Sequence, residues 1–403
     1  MCKISKCRVC KSDNLEEVIN LGNLHLSGIF PKIGEFVVKS PIELCRCVSC
    51  GLVQLFHTYD LSKMYGNSYG YHSSLNKSMV NHLKDIVDYI NTMVDIGKDD
   101  YILDIGSNDG TTLQQYKQGR LVGVDPTIDK FKHFYTDEVK TFCDFFPSKD
   151  LNSFIGNNKF KVITSIACFY DLESPIDFAR EVSNLLSNDG IWIIEQSYLF
   201  SMVNQLAFDT ICHEHLEYYG VNQIQYIADK ANLKIIDVNF NDTNGGSFMV
   251  TLAKKESKFS IHKVDIIDIV LYCEKEWNCS KTFDTFKNDI INYKDNINKF
   301  FKKTKKSKKN IVGYGASTKG NILLQYCEID NKKLPYIVEV NKDKFGCETP
   351  GTRIPIKDER KIDTSKIDLF FVLPWHFKKD ILNRYTNRDY KFAFPLPLEL
   401  KIY

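Results

Sequence analysis

The chain is short of net charge and of long apolar runs. Its 403 residues carry 53 Lys and Arg against 51 Asp and Glu, a formal net charge of only +2. That excludes a global electrostatic grip on nucleic acid, which needs a basic surplus. No stretch of about 18 apolar residues occurs, so no membrane-spanning helix is expected. The opening Met1-Cys2-Lys3-Ile4-Ser5-Lys6 lacks the apolar core of a secretion signal. A cytoplasmic protein with mostly reduced thiols is therefore expected. What remains is globular: 43% hydrophobic, 26% charged, with many Tyr and Phe. The length exceeds one ordinary core and predicts two or three domains.

Cysteine use is uneven. Of the 13 cysteines, Cys2, Cys7, Cys10, Cys45, Cys47 and Cys50 fall in the first 50 residues. That segment mixes short β-like runs with Gly and Pro and has little core of its own. Cys7-x-x-Cys10 and Cys47-x-x-Cys50 are two knuckles of the kind that place four thiolates around zinc. Such a closed site is structural. Free thiols, or Cys45 replacing one of the four, are the alternatives.

The most informative stretch follows. The apolar run 101–105 leads into Gly106-Ser107-Asn108-Asp109-Gly110, and a second run, 121–124, ends on Asp125. A strand, a Gly-rich turn opening a helix and an acid about 20 residues on describe a nucleotide site at the carboxyl edge of a parallel sheet. Asp104 just before the turn would repel a pyrophosphate. It suits a cofactor that carries positive charge, so S-adenosylmethionine (SAM) fits better than NAD. The predicted binding set is Asp104, Gly106, Ser107, Asn108, Asp109 and Asp125. An ordinary strand-to-helix turn is the bland reading.

Around this turn the pattern alternates. A helix is expected over 75–93, with apolar residues at helical spacing. Strands are expected at 101–105, 121–125, 161–166, 190–195, 234–239 and 247–253, with helices between most of them. This is a parallel sheet covered on both faces, ending in a hairpin across Asn244-Gly245-Gly246. Residues 257–303 read as one or two helices, and the lysine run 302–309 as a solvated helix end. A second α/β unit begins at Ile311, with a Gly-rich turn at Gly313-Tyr314-Gly315-Ala316. Tyr314, Lys319 and Asn321 there could cradle phosphates, although a purely structural turn is also open.

The densest group of ionisable and aromatic residues is Asp209 to Tyr219. It contains His213, Glu214, His215 and Tyr218 and follows a strand on the ligand-binding side of the sheet. A histidine is the natural general base near neutral pH, and a neighbouring carboxylate can orient it. Metal binding by His213 and His215 is the weaker reading, because residues two apart on a helix diverge.

Taken in order, these features resemble the bacterial sugar methyltransferase family, whose members C-methylate nucleotide-linked keto-deoxy sugars. The resemblance rests on the paired knuckles, Gly51-Leu52-Val53-Gln54-Leu55, the Tyr-rich segment from Tyr69 to Ser74, Ile105 to Gly110, His213-Glu214-His215, Asn244 to Ser247, Gly313 to Ala316 with Lys319, and Pro350-Gly351-Thr352. It implies a zinc-binding domain over 1–70, a class I SAM-methyltransferase domain over 71–255, and a second Rossmann-like domain over 256–403 that binds a nucleotide-sugar. It implies His215 as base with Glu214 and His213 beside it in the catalytic group, Tyr71 as a donor that would stabilise the developing oxygen, and a pocket lined also by Tyr69, His72 and Tyr218. Polysaccharide or natural-product sugar biosynthesis would be the setting, with no nucleic acid or membrane partner; oligomeric state is unread. The chain departs from the resemblance at Cys212, where better-known members carry Tyr, and at Leu373-Pro374-Trp375-His376-Phe377. These departures keep O-methylation of a sugar hydroxyl open beside C-methylation. A zinc-ribbon RNA methyltransferase and a dinucleotide-dependent enzyme are the more distant rivals.

Overall fold

The computed structural model describes residues 2–59, 71–385 and 391–403. Tyr69, expected in the substrate pocket, lies outside the described residues. Among the described residues no helix is long and apolar enough to cross a membrane.

The N-terminal segment forms β1 (Cys2–Lys3), β2 (Leu15–His25), β3 (Lys39–Cys47), β4 (Val53–Leu55) and β5 (His57–Thr58). A helix over Lys77–Met93 follows. Met79, Leu83, Ile86, Val87 and Ile90 are its buried positions, the 3.6-residue stripe expected from sequence. The stripe packs on Ile102, Val162, Ile191, Ile193 and Ile236 of the central sheet.

That sheet comprises β6 (Tyr101–Ile105), β7 (Arg120–Val124), β8 (Lys140–Phe142), β9 (Phe160–Ile166), β10 (Leu186–Ser197), β12 (Leu233–Asn241) and β13 (Ser247–Lys254), with β11 (Glu217–Tyr218) leaving it for another sheet. The order is β12-β13-β10-β9-β6-β7-β8. Only β13 runs against its neighbours, inserted between β10 and β12. This is the class I SAM-methyltransferase fold. One expected feature is absent: the first Gly-rich turn opens no α-helix, only a 3₁₀ turn at Leu113–Gln115. The reason is length. Residues 106–119 must hold both the turn and the return to β7, which begins at Arg120.

β11 pairs antiparallel with β4, so the N-terminal sheet, ordered β11-β4-β3-β2, is closed by a strand from the central segment. The residues just before β11 are thereby pinned between the two sheets.

Helices Val264–Trp277 and Ser280–Lys306 lead to the last sheet. The longer one buries Phe283, Phe286, Ile290, Tyr293, Ile297 and Phe301. Lys302, Lys303, Lys305 and Lys306 are exposed at its end, as expected for a solvated terminus. The sheet contains β14 (Ile311–Tyr314), β15 (Ile337–Glu339), β16 (Ile356–Asp358), β17 (Leu369–Val372), β18 (Lys391–Phe394) and β19 (Lys401–Ile402). Its order, β16-β15-β14-β17-β18-β19, is the dinucleotide-fold order, with its switch point between β14 and β17. One hydrophobic cluster joins the N-terminal sheet, residues 199–216, the long helix and this last sheet. The segment that leads to His215 and the last sheet are therefore held by a shared core.

Candidate active site

The carboxyl ends of the two large sheets face a single cleft of about 1060 Å³. Gly106, Asn108 and Asp125 line one side; Tyr314, Gly315 and Lys319 line the other; Tyr71, Tyr170, Glu214, His215, Asn244 and His376 lie on its wall between them.

On the cofactor side the backbone comes close. Gly106 has φ +75, and a Cβ there would sit 3.0 Å from that of Cys168. Asn108, also left-handed at φ 49, donates its N–H to Asp125 Oδ2 at 3.0 Å. Burial raises the Asp125 pKa. The wall on this side carries Asp125, Asp144, Asp171 and Glu195 against Lys77. That acidic excess fits a ligand bearing a sulfonium and an ammonium.

Four residues predicted for the cofactor set or substrate pocket stand behind this wall. Asp104 is beneath the turn, accepting from Thr164 Oγ1 at 2.6 Å, with its pKa pushed by burial to about 7. Ser107 is buried against Tyr135. Asp109 accepts from Thr111 N at Oδ1 and from Ser74 N at Oδ2, and His72 Nδ1 lies 3.3 Å from that same Oδ2. Burial works against the Asp109 charge, yet these donors hold its pKa below the ordinary value. His72 thus faces Asp109, Phe131 and Phe134, not the cleft. The work of Asn108 and Asp109 is to grip residues 71–74: Ser73 N donates to Asn108 Oδ1, and Asn108 Nδ2 to the Tyr71 carbonyl. This brings Tyr71 to the cleft.

The three residues 213–215 point three ways. His213 is buried, its Nε2 3.2 Å from the Ser40 carbonyl and its pKa lowered by burial to about 4. It is off the cleft. Glu214 reaches the wall beside Gly28, where a Cβ would lie 2.3 Å from its Oε1, and burial raises its pKa. His215 enters the cleft against Tyr170, ring centroids 4.2 Å apart. Its Nδ1 is 3.0 Å from the Thr210 carbonyl, which can only accept. Nδ1 therefore carries the proton, and Nε2 presents a lone pair to the cleft. Burial, with the Lys319 charge, lowers the pKa of His215 to about 3, so the ring is neutral at ordinary pH.

Two further predicted residues do not reach the site. Tyr218 is buried, donating to the Thr210 carbonyl. Asn321 is buried and donates to the Ser27 carbonyl at 2.7 Å. Lys319, by contrast, is on the wall, its Nζ donating to the Asn244 carbonyl at 2.9 Å. Burial lowers its pKa, opposed by Asp209. Gly28, Tyr170, Asn244 and His376 were missed as site residues. Of these, Asn244 lay in the Asn-Gly-Gly turn and His376 in the unusual Leu-Pro-Trp-His-Phe run, but neither pattern marked its side chain for the site.

Away from the cleft, the sulfurs of Cys7, Cys10, Cys47 and Cys50 all lie within 4.8 Å of one another. Cys7 and Cys50 are 3.6 Å apart, Cys10 and Cys47 3.4 Å. A tetrahedron of about 2.3 Å Zn–S bonds separates sulfurs by about 3.8 Å, so the four fit zinc. Cys45 is buried outside the cluster.

The same organisation is found in known proteins. Residues 7–65 match a zinc binding domain, and residues 79–238 match a methyltransferase domain. Residues 242–397 match the C-methyltransferase C-terminal domain.

The chain is a SAM-dependent methyltransferase.

The matched domains run in order from the zinc binding domain, through the methyltransferase domain, to the C-methyltransferase C-terminal domain. The C-methyltransferase NovU of Streptomyces niveus is 25% identical over 407 residues, spanning 98% of this chain and 96% of that protein. Among solved structures, the CcbJ methyltransferase of Streptomyces caelestis is 12% identical with a TM-score of 0.34, covering 43% of this chain and 89% of that one. A SAM-dependent methyltransferase from Clostridium acetobutylicum ATCC 824 is 13% identical with a TM-score of 0.35, covering 43% and 92%.

Proposed function

We propose that this methyltransferase places its methyl group on carbon, next to the ketone of a nucleotide-linked sugar, with His215 as the base. One observation carries the reading: His215 has a locked tautomer whose lone pair faces the cleft beside the Lys319 cation. A ketone acidifies the neighbouring C–H. His215 Nε2 would take that proton and hold it. The electron pair moves to the ketone oxygen, and a nearby cation opposes its charge. When bound, SAM supplies the methyl as an electrophile. The remaining task of the chain is to hold the acceptor carbon in line, which a cleft between two sheets favours.

The nucleotide is supported by the second sheet. Its strand order is that of dinucleotide folds, and Lys319, Lys344 and Arg384 line its side of the cleft. Zinc supplies no chemistry here, because four thiolates close its coordination.

The test is mass spectrometric. The protein is incubated with methyl-deuterated SAM and a panel of nucleotide-sugars, half of them 4-keto. Label on carbon, only in the keto sugars, and its loss in His215→Asn are expected. Label on a hydroxyl of a sugar without a ketone would make the enzyme an O-methyltransferase and sink the ketone mechanism.

A further inference from the structure

His376 has no part in the mechanism so far, yet its ring forms part of the cleft wall. Among the described residues its buried Nδ1 has no hydrogen-bond partner, which leaves Nε2 as the nitrogen for the cleft that the ring lines. A neutral imidazole has one N–H to place. On Nδ1 it would be sealed without an acceptor, the costly arrangement for a buried donor. On Nε2 it can be given to a ligand. Burial, with the Lys319 charge, keeps the ring neutral. His215 is the converse: its Nδ1–H is committed to Thr210, and its Nε2 is bare. One imidazole offers a lone pair and the other a proton, with the same ammonium acting on both.

The neighbouring residue anchors the placement. Trp375, beside His376, donates Nε1–H to Asp209 Oδ2 at 2.7 Å. Asp209 directly precedes Thr210, whose carbonyl sets His215. The Trp375 ring also fills the space over Gly245, where a Cβ would lie 2.8 Å from it. One short turn, 208–210, therefore positions both histidines, although they come from different sheets.

We infer that His376 is a catalytic hydrogen-bond donor, giving Nε2–H to the acceptor's ketone oxygen as His215 takes the proton from the adjacent carbon. The C–H bond breaks, the proton goes to His215 Nε2, and the electron pair goes to the oxygen held by His376. His376 keeps its proton. The pair would return to form the new C–C bond to the methyl that SAM supplies, as the methyl–sulfur bond breaks and leaves its electrons on S-adenosylhomocysteine. The assignment rests on the ketone reading above.

Wild type, His376→Leu and His376→Gln are compared on the keto sugar that the wild type methylates fastest. With S-adenosylhomocysteine in place of SAM, exchange of the acceptor's C–H with deuterated water is followed by mass spectrometry, separately from methylation. Binding of S-adenosylhomocysteine by calorimetry reports folding and the cofactor half. His376→Leu is expected to slow exchange and methylation together by about 10²–10³-fold, the usual effect of removing one oxyanion donor. Cofactor binding should stay unchanged, and the amide N–H of His376→Gln should restore about tenfold or more. A His376→Leu protein that exchanges at the wild-type rate overturns the inference, as does one changed only in KM. A wild type that labels only sugars lacking a ketone defeats the ketone reading itself, and the assignment falls with it. The wild-type result and the variant result thus separate the two failures.

Discussion

The chain uses one device twice and tunes it in opposite directions. At Gly106–Gly110 and at Gly315–Gly320, a Gly-rich turn leaves the first strand of a parallel sheet. In both, an acid at or just past the end of the next strand accepts an N–H from that turn: Asn108 donates to Asp125, and Ala316 to Glu339. The surroundings then diverge. The first turn leads only to a 3₁₀ turn, and its wall is acidic. The second opens a true helix, Thr318–Tyr326, capped by Ser317 and carrying Lys319 into the cleft. Glu339 is consumed by three backbone donors, from Ala316, Val340 and Asn341. A turn without a helix, ringed by carboxylates, suits a cationic ligand. A turn with a helix and a lysine suits an anionic one. The strand-turn-acid pattern therefore identifies a ligand edge, while the sign of the ligand is decided by what surrounds it.

The largest expected effect falls where the two halves meet. His215→Asn should lower methyl transfer by about 10²–10⁴-fold, the ordinary worth of a positioned base. SAM binding, measured by calorimetry, should be unaffected; a joint loss would mean that His215 serves the first turn and not the shared centre.

Next come the glycines, whose effects should be crossed. Gly315→Val puts a branched side chain at φ +74, where even a Cβ would be 2.6 Å from the Pro374 ring. Gly106→Val does the same at φ +75 against Cys168. Strain of about 1–3 kcal/mol is expected at each. Gly315→Val should raise KM for the nucleotide-sugar and spare SAM affinity, and Gly106→Val should do the reverse. Equal damage to both ligands from either variant would break the division of labour.

The acids sharpen it further. Asp125→Ala should weaken SAM binding about tenfold. Glu339→Gln should instead lower the melting temperature, because it exchanges a carboxylate for an amide at three backbone donors, two of them buried, at a cost of about 1–3 kcal/mol. An unchanged melting temperature in Glu339→Gln would argue that Glu339 binds ligand.

The smallest effect is a pH shift. Burial and the Lys319 cation hold His215 at about 3, so the acid limb of kcat/KM should lie well below the ordinary histidine value. Removing a positive neighbour favours the imidazolium. Lys319→Met should therefore raise the His215 pKa and move that limb to higher pH, followed by the pH–rate profile and by nitrogen-15 NMR of the imidazole. An unmoved limb would place Lys319 outside the reach of His215.

Much of the frame was legible from the chain. The strands at 101–105 and 247–253, the stripe at Met79 to Ile90, the cysteine knuckles and the lysine-rich helix end all rest on local periodicity or spacing, and each was found. The site was legible as a set of segments and not as a set of side chains. Of the first turn, Gly106, Asn108 and Asp125 reach the cleft, while Asp104, Ser107 and Asp109 brace it from behind. Neighbours in sequence point apart, and a linear pattern carries no record of which one is turned inward. The segment 213–215 is the clearest instance, since its backbone is irregular and held at both ends by other sheets.

The sequence alone determined that there are two nucleotide-type sheets, a four-thiolate staple and a histidine base candidate, because these depend on residue type and spacing within one segment. Tertiary structure decided everything that needs two segments at once. β11 pairs with β4, a strand some 160 residues earlier, and so ties the segment that carries His215 to the N-terminal sheet. Lys319 and His376 had to cross from the second sheet to stand near His215. Such juxtapositions arise from long-range pairing and shared burial, and no local rule of sequence contains them.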